Sequence, residues 1–203
     1  MLHVFYANID ALPDVPDGLP LSAYRLEKLA SCRSSRRRRQ GIGAELLLIR
    51  TLQMGGLCPA LPLPVSTEKN GKPFLIGSEL HFSLSHSGSF AACALSDFPV
   101  GVDLEKRDSL SEPVLRRFFS PEEQALIRSS EDPDLSFTRL WTGKESFVKA
   151  TGSGLLLPLR EISPLSPSPD ISFWQFDHAS FCLSVCVLGG SAQPDSFQQV
   201  DLS

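Results

Sequence analysis

Three carboxylates and two lysines fall within two short segments, G-V-D-L-E at residues 101–105 and W-T-G-K-E-S-F-V-K at residues 141–149. The first follows Phe98-Pro99-Val100 as a β-branched and aliphatic run, which predicts a strand with Asp103 and Glu105 on one face and Val102 and Leu104 toward the core. Two carboxylates side by side repel unless a cation or a proton lies between them, and oxygen ligands of this kind suit a hard ion such as Mg²⁺. In the second segment Glu145 and Lys149 lie one helical turn apart on a common face, with Lys144 adjacent. Alone, each segment has an ordinary explanation: an edge strand with a solvated face, and an exposed Glu/Lys pair worth only about 0.2–0.5 kcal/mol. Together they supply ligands for one divalent cation and positive charge for one phosphorylated substrate.

The elements that must position these groups follow from periodicity. Phe137, Leu140, Trp141, Phe147 and Val148 recur at helical spacing across residues 135–150, and Gly152 is placed to cap the helix. Residues 2–9 read as a strand, residues 20–31 and 42–54 as helical, and residues 80–84 and 89–95 as strands. The same order then repeats: a strand at 99–105, helices at 112–129 and 135–150, strands at 171–176 and 180–188. Ser120-Pro121-Glu122-Glu123 reads as a capping box, a structural role. Residues 158–169 read as a Pro/Ser-rich loop and residues 189–203 as a weakly ordered tail.

Four blocks in order resemble the Sfp-type 4′-phosphopantetheinyl transferases: Gly71-Lys72-Pro73 with H-F-S-L-S-H-S-G at 81–88, P-V-G-V-D-L-E at 99–105, F-F-S-P-E-E at 118–123, and W-T-G-K-E-S-F-V-K-A-T-G-S-G-L at 141–155. The resemblance implies an α+β fold of two similar lobes in a pseudo-twofold arrangement, residues 1–98 and 99–203, with the active site in the cleft between them. It implies transfer of the 4′-phosphopantetheine arm of coenzyme A to a serine of an apo carrier protein, with release of 3′,5′-ADP. Asp103, Glu105 and Glu145 would hold Mg²⁺, and Lys149 would meet the phosphates. Glu145 is either ligand or base to the attacking serine, or both. Ser85 and His86 resemble family residues on the nucleotide phosphates, and Lys72 and Pro73 belong to a segment beside the adenine. The family's Arg four residues before a helix-opening Gly corresponds to Arg39 and Gly43, within an Arg-rich run that departs from the common pattern and leaves open which of Arg36 to Arg39 makes the contact. The carrier would be an acidic helical domain, received by Arg116 and Arg117 beside Phe118 and Phe119. A carrier-binding or coenzyme A-binding module without transfer, and a Mg²⁺-dependent coenzyme A hydrolase, are the competing readings.

Composition narrows the class further. At 203 residues the chain can bury a sizeable core, and 42% hydrophobic against 21% charged content is ordinary for a globular enzyme. No charged segment leads into an apolar stretch, and no apolar run approaches membrane-spanning length, so a soluble, cytoplasmic protein is expected; a monomer is expected as well. A single cluster, Arg33 and Arg36 to Arg39, on a chain of net charge −4 argues against nucleic-acid binding. The cysteines, Cys32, Cys58, Cys93, Cys182 and Cys186, lack a C-x-x-C spacing and read as reduced thiols. His81 reads as structural. The Gly143-Lys144-Glu145 triplet imitates a P-loop end, but Glu145 stands where that loop needs Ser or Thr.

Overall fold

Both faces of the first strand are apolar, which places it inside the molecule rather than on its surface. In the computed structural model, which describes residues 1–57, 60–107, 109–154 and 158–202, this strand, β1 (Leu2–Asn8), sends Leu2, Val4 and Tyr6 into one core and Phe5 and Ala7 into another. Cys58 and Leu155, two residues singled out above, lie outside the described residues. Two helices follow, α1 (Ala23–Ala30) and α2 (Ser35–Met54), then a short antiparallel ribbon, β2 (Val65–Thr67) with β3 (Pro73–Leu75). β4 (His81–Ser87) and β5 (Phe90–Ser96) form an antiparallel hairpin that extends the β1 sheet.

The second sheet begins with β6 (Val100–Lys106). Helices α3 (Glu112–Phe118), α4 (Pro121–Ser129) and α5 (Pro133–Thr151) come next, then β7 (Ile171–Asp177) and β8 (Phe181–Leu188). β8 lies in the middle of this sheet, antiparallel to β6 on one side and β7 on the other. The inner faces of the two sheets share one core, in which Val4 and Ala92 meet Val102, Leu104, Leu183 and Val185. α2 covers the outer face of the first sheet through Leu47, Leu48 and Leu52, and α5 covers the second through Phe147 and Ala150. The result is four layers, helix, sheet, sheet, helix, with an α+β content as expected.

Three stretches assigned from the sequence take a different form in the structure. α2 starts at Ser35, not near 42: Ser34 caps it by accepting the Arg37 amide, and the arginine run is its first turn. The stretch at 112–129 is two helices, because extended Phe119 separates them and Ser120 with Glu123 forms the expected capping box at the start of α4. Residues 189–203, read as a tail, contain β9 (Ser196–Gln199), which pairs parallel to β1. Phe197 packs on the inter-sheet core, while Val200 and Leu202 pack on the α2 side. The chain therefore returns from the second sheet to the edge of the first.

Cys93, Cys182 and Cys186 are free and buried, and burial pushes each thiol up to about 12. They are inert at neutral pH, as expected for core thiols.

Candidate active site

β6 alternates as its residues require. Val100, Val102 and Leu104 fill the inter-sheet core, so Gly101, Asp103 and Glu105 occupy the opposite face. That face meets α5. Asp103 is buried, and its Oδ1 accepts hydrogen bonds from Lys149 Nζ at 2.7 Å and Ser85 Oγ at 2.9 Å. Glu105 Oε2 accepts from Ser87 Oγ at 2.7 Å. Glu145, one turn before Lys149 on α5, lines the same cleft of about 360 Å³ together with His86 and Trp141.

The electrostatics of this cleft are unbalanced toward negative charge. The Glu145 carboxyl is pushed up to about 7, first by burial and then by the charges of Asp103 and Glu105, with Lys149 acting in the opposite sense. Asp103 Oδ2 is buried without a hydrogen-bond partner, an orphaned acceptor that a cation would satisfy. All three side chains offer carboxylate oxygen, the donor that divalent hard ions take. Among the described residues no three acidic, His or Cys side chains already stand close enough to hold an ion. Lys149 supplies the positive charge beside Asp103 instead. Ligation by all three carboxylates requires at least one of their side chains to move toward the others.

Lys144 does not take part. Its adjacency to Glu145 placed it with the site in the sequence, but successive residues of a helix point about 100° apart, and Lys144 turns into the protein with no exposed surface. There its ammonium pairs with Glu123 Oε2 at 2.9 Å, donates to the Leu159 carbonyl at 2.7 Å and to the Ile162 carbonyl, and lies 5.3 Å from the centre of the Phe119 ring. It fastens α4 and the 159–162 segment to α5. We expect Lys144→Met to lose about 3 kcal/mol in urea unfolding, because it strands the buried Glu123. The double variant with Glu123→Gln should recover part of that loss; a single-variant cost below about 1 kcal/mol would show that the pair contributes little.

A second cavity of about 330 Å³ continues from the first, sharing Leu84, His86 and Lys149 and running toward Arg25, Gly71, Pro73 and Gly152. His86 forms part of both walls, and its imidazole is pushed below the usual histidine range by desolvation and by the Lys149 charge. Lys72 lines this cavity, but its Nζ donates to the Ala150 carbonyl at 2.8 Å and the Val100 carbonyl at 3.3 Å, tying the β2–β3 ribbon to the C-terminal end of α5.

The carboxylates and the lysine of the first cavity lie in a segment that matches known proteins. A family model described as the 4′-phosphopantetheinyl transferase superfamily matches residues 99–192. A 4′-phosphopantetheinyl transferase of Bacillus subtilis is 34% identical over 151 residues, 70% of this chain and 66% of that protein. Residues 99–192 carry the pattern of the 4′-phosphopantetheinyl transferase superfamily. The 4′-phosphopantetheinyl transferase Sfp of Bacillus subtilis strain 168 is 40% identical over 101 residues, 48% of this chain and 45% of its own. The 4′-phosphopantetheinyl transferase HetI of a Nostoc species is 42% identical over 97 residues, 43% of this chain and 41% of its own. The matched segments thus cover less than two thirds of the length of these relatives. Within the residues matched by the 4′-phosphopantetheinyl transferase model lie Asp103, Glu105, Glu145 and Lys149.

Not every residue that the resemblance pointed to is brought to this site. Arg39 donates its Nε to the Leu12 carbonyl at 2.7 Å and is not among the residues lining the second cavity. Arg25 is, and sequence reading passed over it. Its Nε is held 3.3 Å from buried Glu45, which also receives Ser22 Oγ at 3.0 Å. This triad joins α1 to α2 across twenty residues and leaves no short-range pattern to find. Of the expected carrier-binding group, Arg116 and Arg117 are exposed and Phe118 is half-buried, with the Arg117 guanidinium over its ring. Phe119 is fully buried against Phe137 and Trp141, so it offers no surface to a partner. Among the described residues no helix is long and apolar enough to cross a membrane.

Proposed function

We propose that this protein transfers the 4′-phosphopantetheine arm of coenzyme A to a serine of an apo carrier protein, releasing 3′,5′-ADP. The observation that carries the reading is the convergence of Asp103, Glu105 and Glu145 with Lys149 in a cleft that opens into a second, nucleotide-sized cavity. Asp103, Glu105 and Glu145 would hold Mg²⁺, which when bound neutralises charge on the pyrophosphate oxygens. Lys149, already 2.7 Å from Asp103, adds a positive charge on the same wall and is placed to move onto a phosphate oxygen. His86, whose hold on a proton is weakened by desolvation and by the Lys149 charge, gains a proton more readily beside an anion and then donates to it. Arg25, on the wall of the second cavity, offers its remaining guanidinium N–H groups to the nucleotide phosphate.

In the reaction the carrier serine oxygen attacks the β-phosphorus of coenzyme A, its bond to the 3′,5′-ADP oxygen breaks, and the serine proton passes to Glu145. Glu145, which lines the cleft beside Asp103 and Lys149, is the carboxylate that would accept this proton. The partner is an acidic helical carrier, steered by Arg116 and Arg117.

Intact mass spectrometry of a panel of apo carrier proteins incubated with this protein, coenzyme A and Mg²⁺ tests the proposal. A gain of one phosphopantetheine arm, abolished by chelator, is expected. Coenzyme A consumed with no carrier modified would indicate hydrolysis, and coenzyme A bound but left intact across the panel would indicate a binding module.

A further inference from the structure

Ser83, Ser85 and Ser87 alternate along β4, so their side chains share one face. That face meets β6, the outer strand of the second sheet. An outer strand leaves every second backbone N–H without a strand partner. Here the serines accept them in register: Val102 N–H to Ser83 Oγ at 3.0 Å, Leu104 N–H to Ser85 Oγ at 3.1 Å, and Lys106 N–H to Ser87 Oγ at 3.2 Å. The two sheets are joined along this seam by side-chain hydroxyls rather than by a ladder.

A hydroxyl has one proton and two lone pairs. Once its oxygen is fixed by the amide, the proton has a narrow choice of direction. In Ser85 it goes to Asp103 Oδ1 and in Ser87 to Glu105 Oε2. Each of these serines therefore binds the backbone of one β6 residue and the carboxylate of the residue before it. Glu105 is the case that depends most on such a clamp. It lies near the end of β6, is only half-buried, and has three rotatable side-chain bonds, whereas Asp103 is shorter and buried.

We propose that Ser87 is a positioning residue for the metal site, its hydroxyl holding the Glu105 carboxylate in one orientation against the β6 backbone. The inference rests on the reading of Asp103, Glu105 and Glu145 as metal ligands. It also makes the metal site sensitive to the seam: Ser87 belongs to the first sheet and Glu105 to the second, so a shift between the sheets turns the carboxylate. Ser87 is the informative member of the ladder, because Ser85 also accepts Lys149 Nζ at 2.9 Å and its loss would disturb several groups at once.

The test is Mn²⁺ binding followed by electron paramagnetic resonance in the presence of saturating coenzyme A, with coenzyme A affinity measured separately by calorimetry without metal. Ser87→Ala is expected to raise the Mn²⁺ dissociation constant by about tenfold or more, in line with the loss of an outer hydrogen bond to a metal ligand. Its coenzyme A affinity and circular dichroism should match the wild type. Ser87→Thr, which keeps the hydroxyl, should bind Mn²⁺ as the wild type does. Should Ser87→Ala fail to fold, Ser87→Cys replaces it, since a thiol preserves the volume but donates weakly. Unchanged Mn²⁺ affinity in the folded Ala or Cys variant would overturn the proposal, as would equal losses of Mn²⁺ and coenzyme A affinity or a Thr variant no better than Ala. Glu105→Ala separates the two levels of the argument. If it weakens Mn²⁺ binding while Ser87→Ala does not, only the positioning role fails; if it has no effect, the assignment of Glu105 as a ligand fails and the positioning role with it.

Discussion

Replacing Glu145 by Gln is expected to lower transfer to the carrier by about a thousandfold or more, since it removes either a base or a metal ligand from the reacting centre. The same change should leave the fold at least as stable as before. Burial and the neighbouring Asp103 and Glu105 hold this carboxyl up to about 7 against an ordinary value of 4.5, so its ionised form is disfavoured in the folded protein. The folded state therefore binds this proton more tightly than the unfolded state. That contribution is present below about 4.5 and is lost as pH rises through about 7, and the Gln variant should lack this part of the pH dependence. Thermal melts of both proteins near pH 5 and near pH 8 measure it. Activity has the opposite slope, because either role needs the carboxylate: turnover should rise with pH through the Glu145 titration. Added Mg²⁺ should move that limb to lower pH, as the metal competes with the proton. Near-normal turnover in a folded Glu145→Gln protein would remove Glu145 from the chemistry, and a pH limb indifferent to Mg²⁺ would separate it from the metal.

What could be read from the sequence divides along the range of the forces involved. Asp103 and Glu105 were legible because a strand alternates, and Glu145 with Lys149 because a helix repeats in nearly four residues; both are consequences of local geometry. Lys144 was misplaced by the same kind of reasoning applied too loosely. Sequence adjacency suggested a shared site, although Lys144 faces buried Glu123. Glu123 itself was read as a capping residue, which it is, but its second role depends on how α4 meets α5, and nothing within either segment encodes that. The same limit hid Arg25, whose place on the cavity wall is set by Glu45. β9 was missed for an energetic reason: Ser196–Gln199 is short and mostly polar, and it becomes a strand by completing the open edge of β1. The serine ladder was visible as letters, S-L-S-H-S, while its function requires the unpaired amides of β6 opposite.

Gly101→Ala is expected to cause the largest loss of stability of any single methyl added at this site. β6 passes α5 so closely at Gly101 that a Cβ there would overlap the Ser146 carbonyl oxygen and the Ala150 amide nitrogen. Both are backbone atoms within a helix, so no side chain can swing aside, and the helix itself must move. Overpacking usually costs about 1–3 kcal/mol where neighbours can give; here about 4 kcal/mol or more is expected, the range reached only when something rigid is displaced. The functional effect follows from the same geometry. β6 carries Asp103 and Glu105, α5 carries Glu145 and Lys149, and their separation is set where the two backbones touch. A displacement near 1 Å at a reacting centre can cost about a hundredfold in rate, so whatever fraction of Gly101→Ala folds should transfer poorly even at saturating coenzyme A and Mg²⁺. Gly143→Ala is the control on the same helix, since a Cβ there meets the Pro164 side chain, which belongs to a loop and can shift. Urea unfolding of the two variants, with turnover measured well below each midpoint, should show a severe loss of both stability and rate for Gly101→Ala and a mild loss of stability alone for Gly143→Ala. Similar behaviour in the two would mean that α5 is free to adjust against β6 and that the spacing of the carboxylates is set elsewhere.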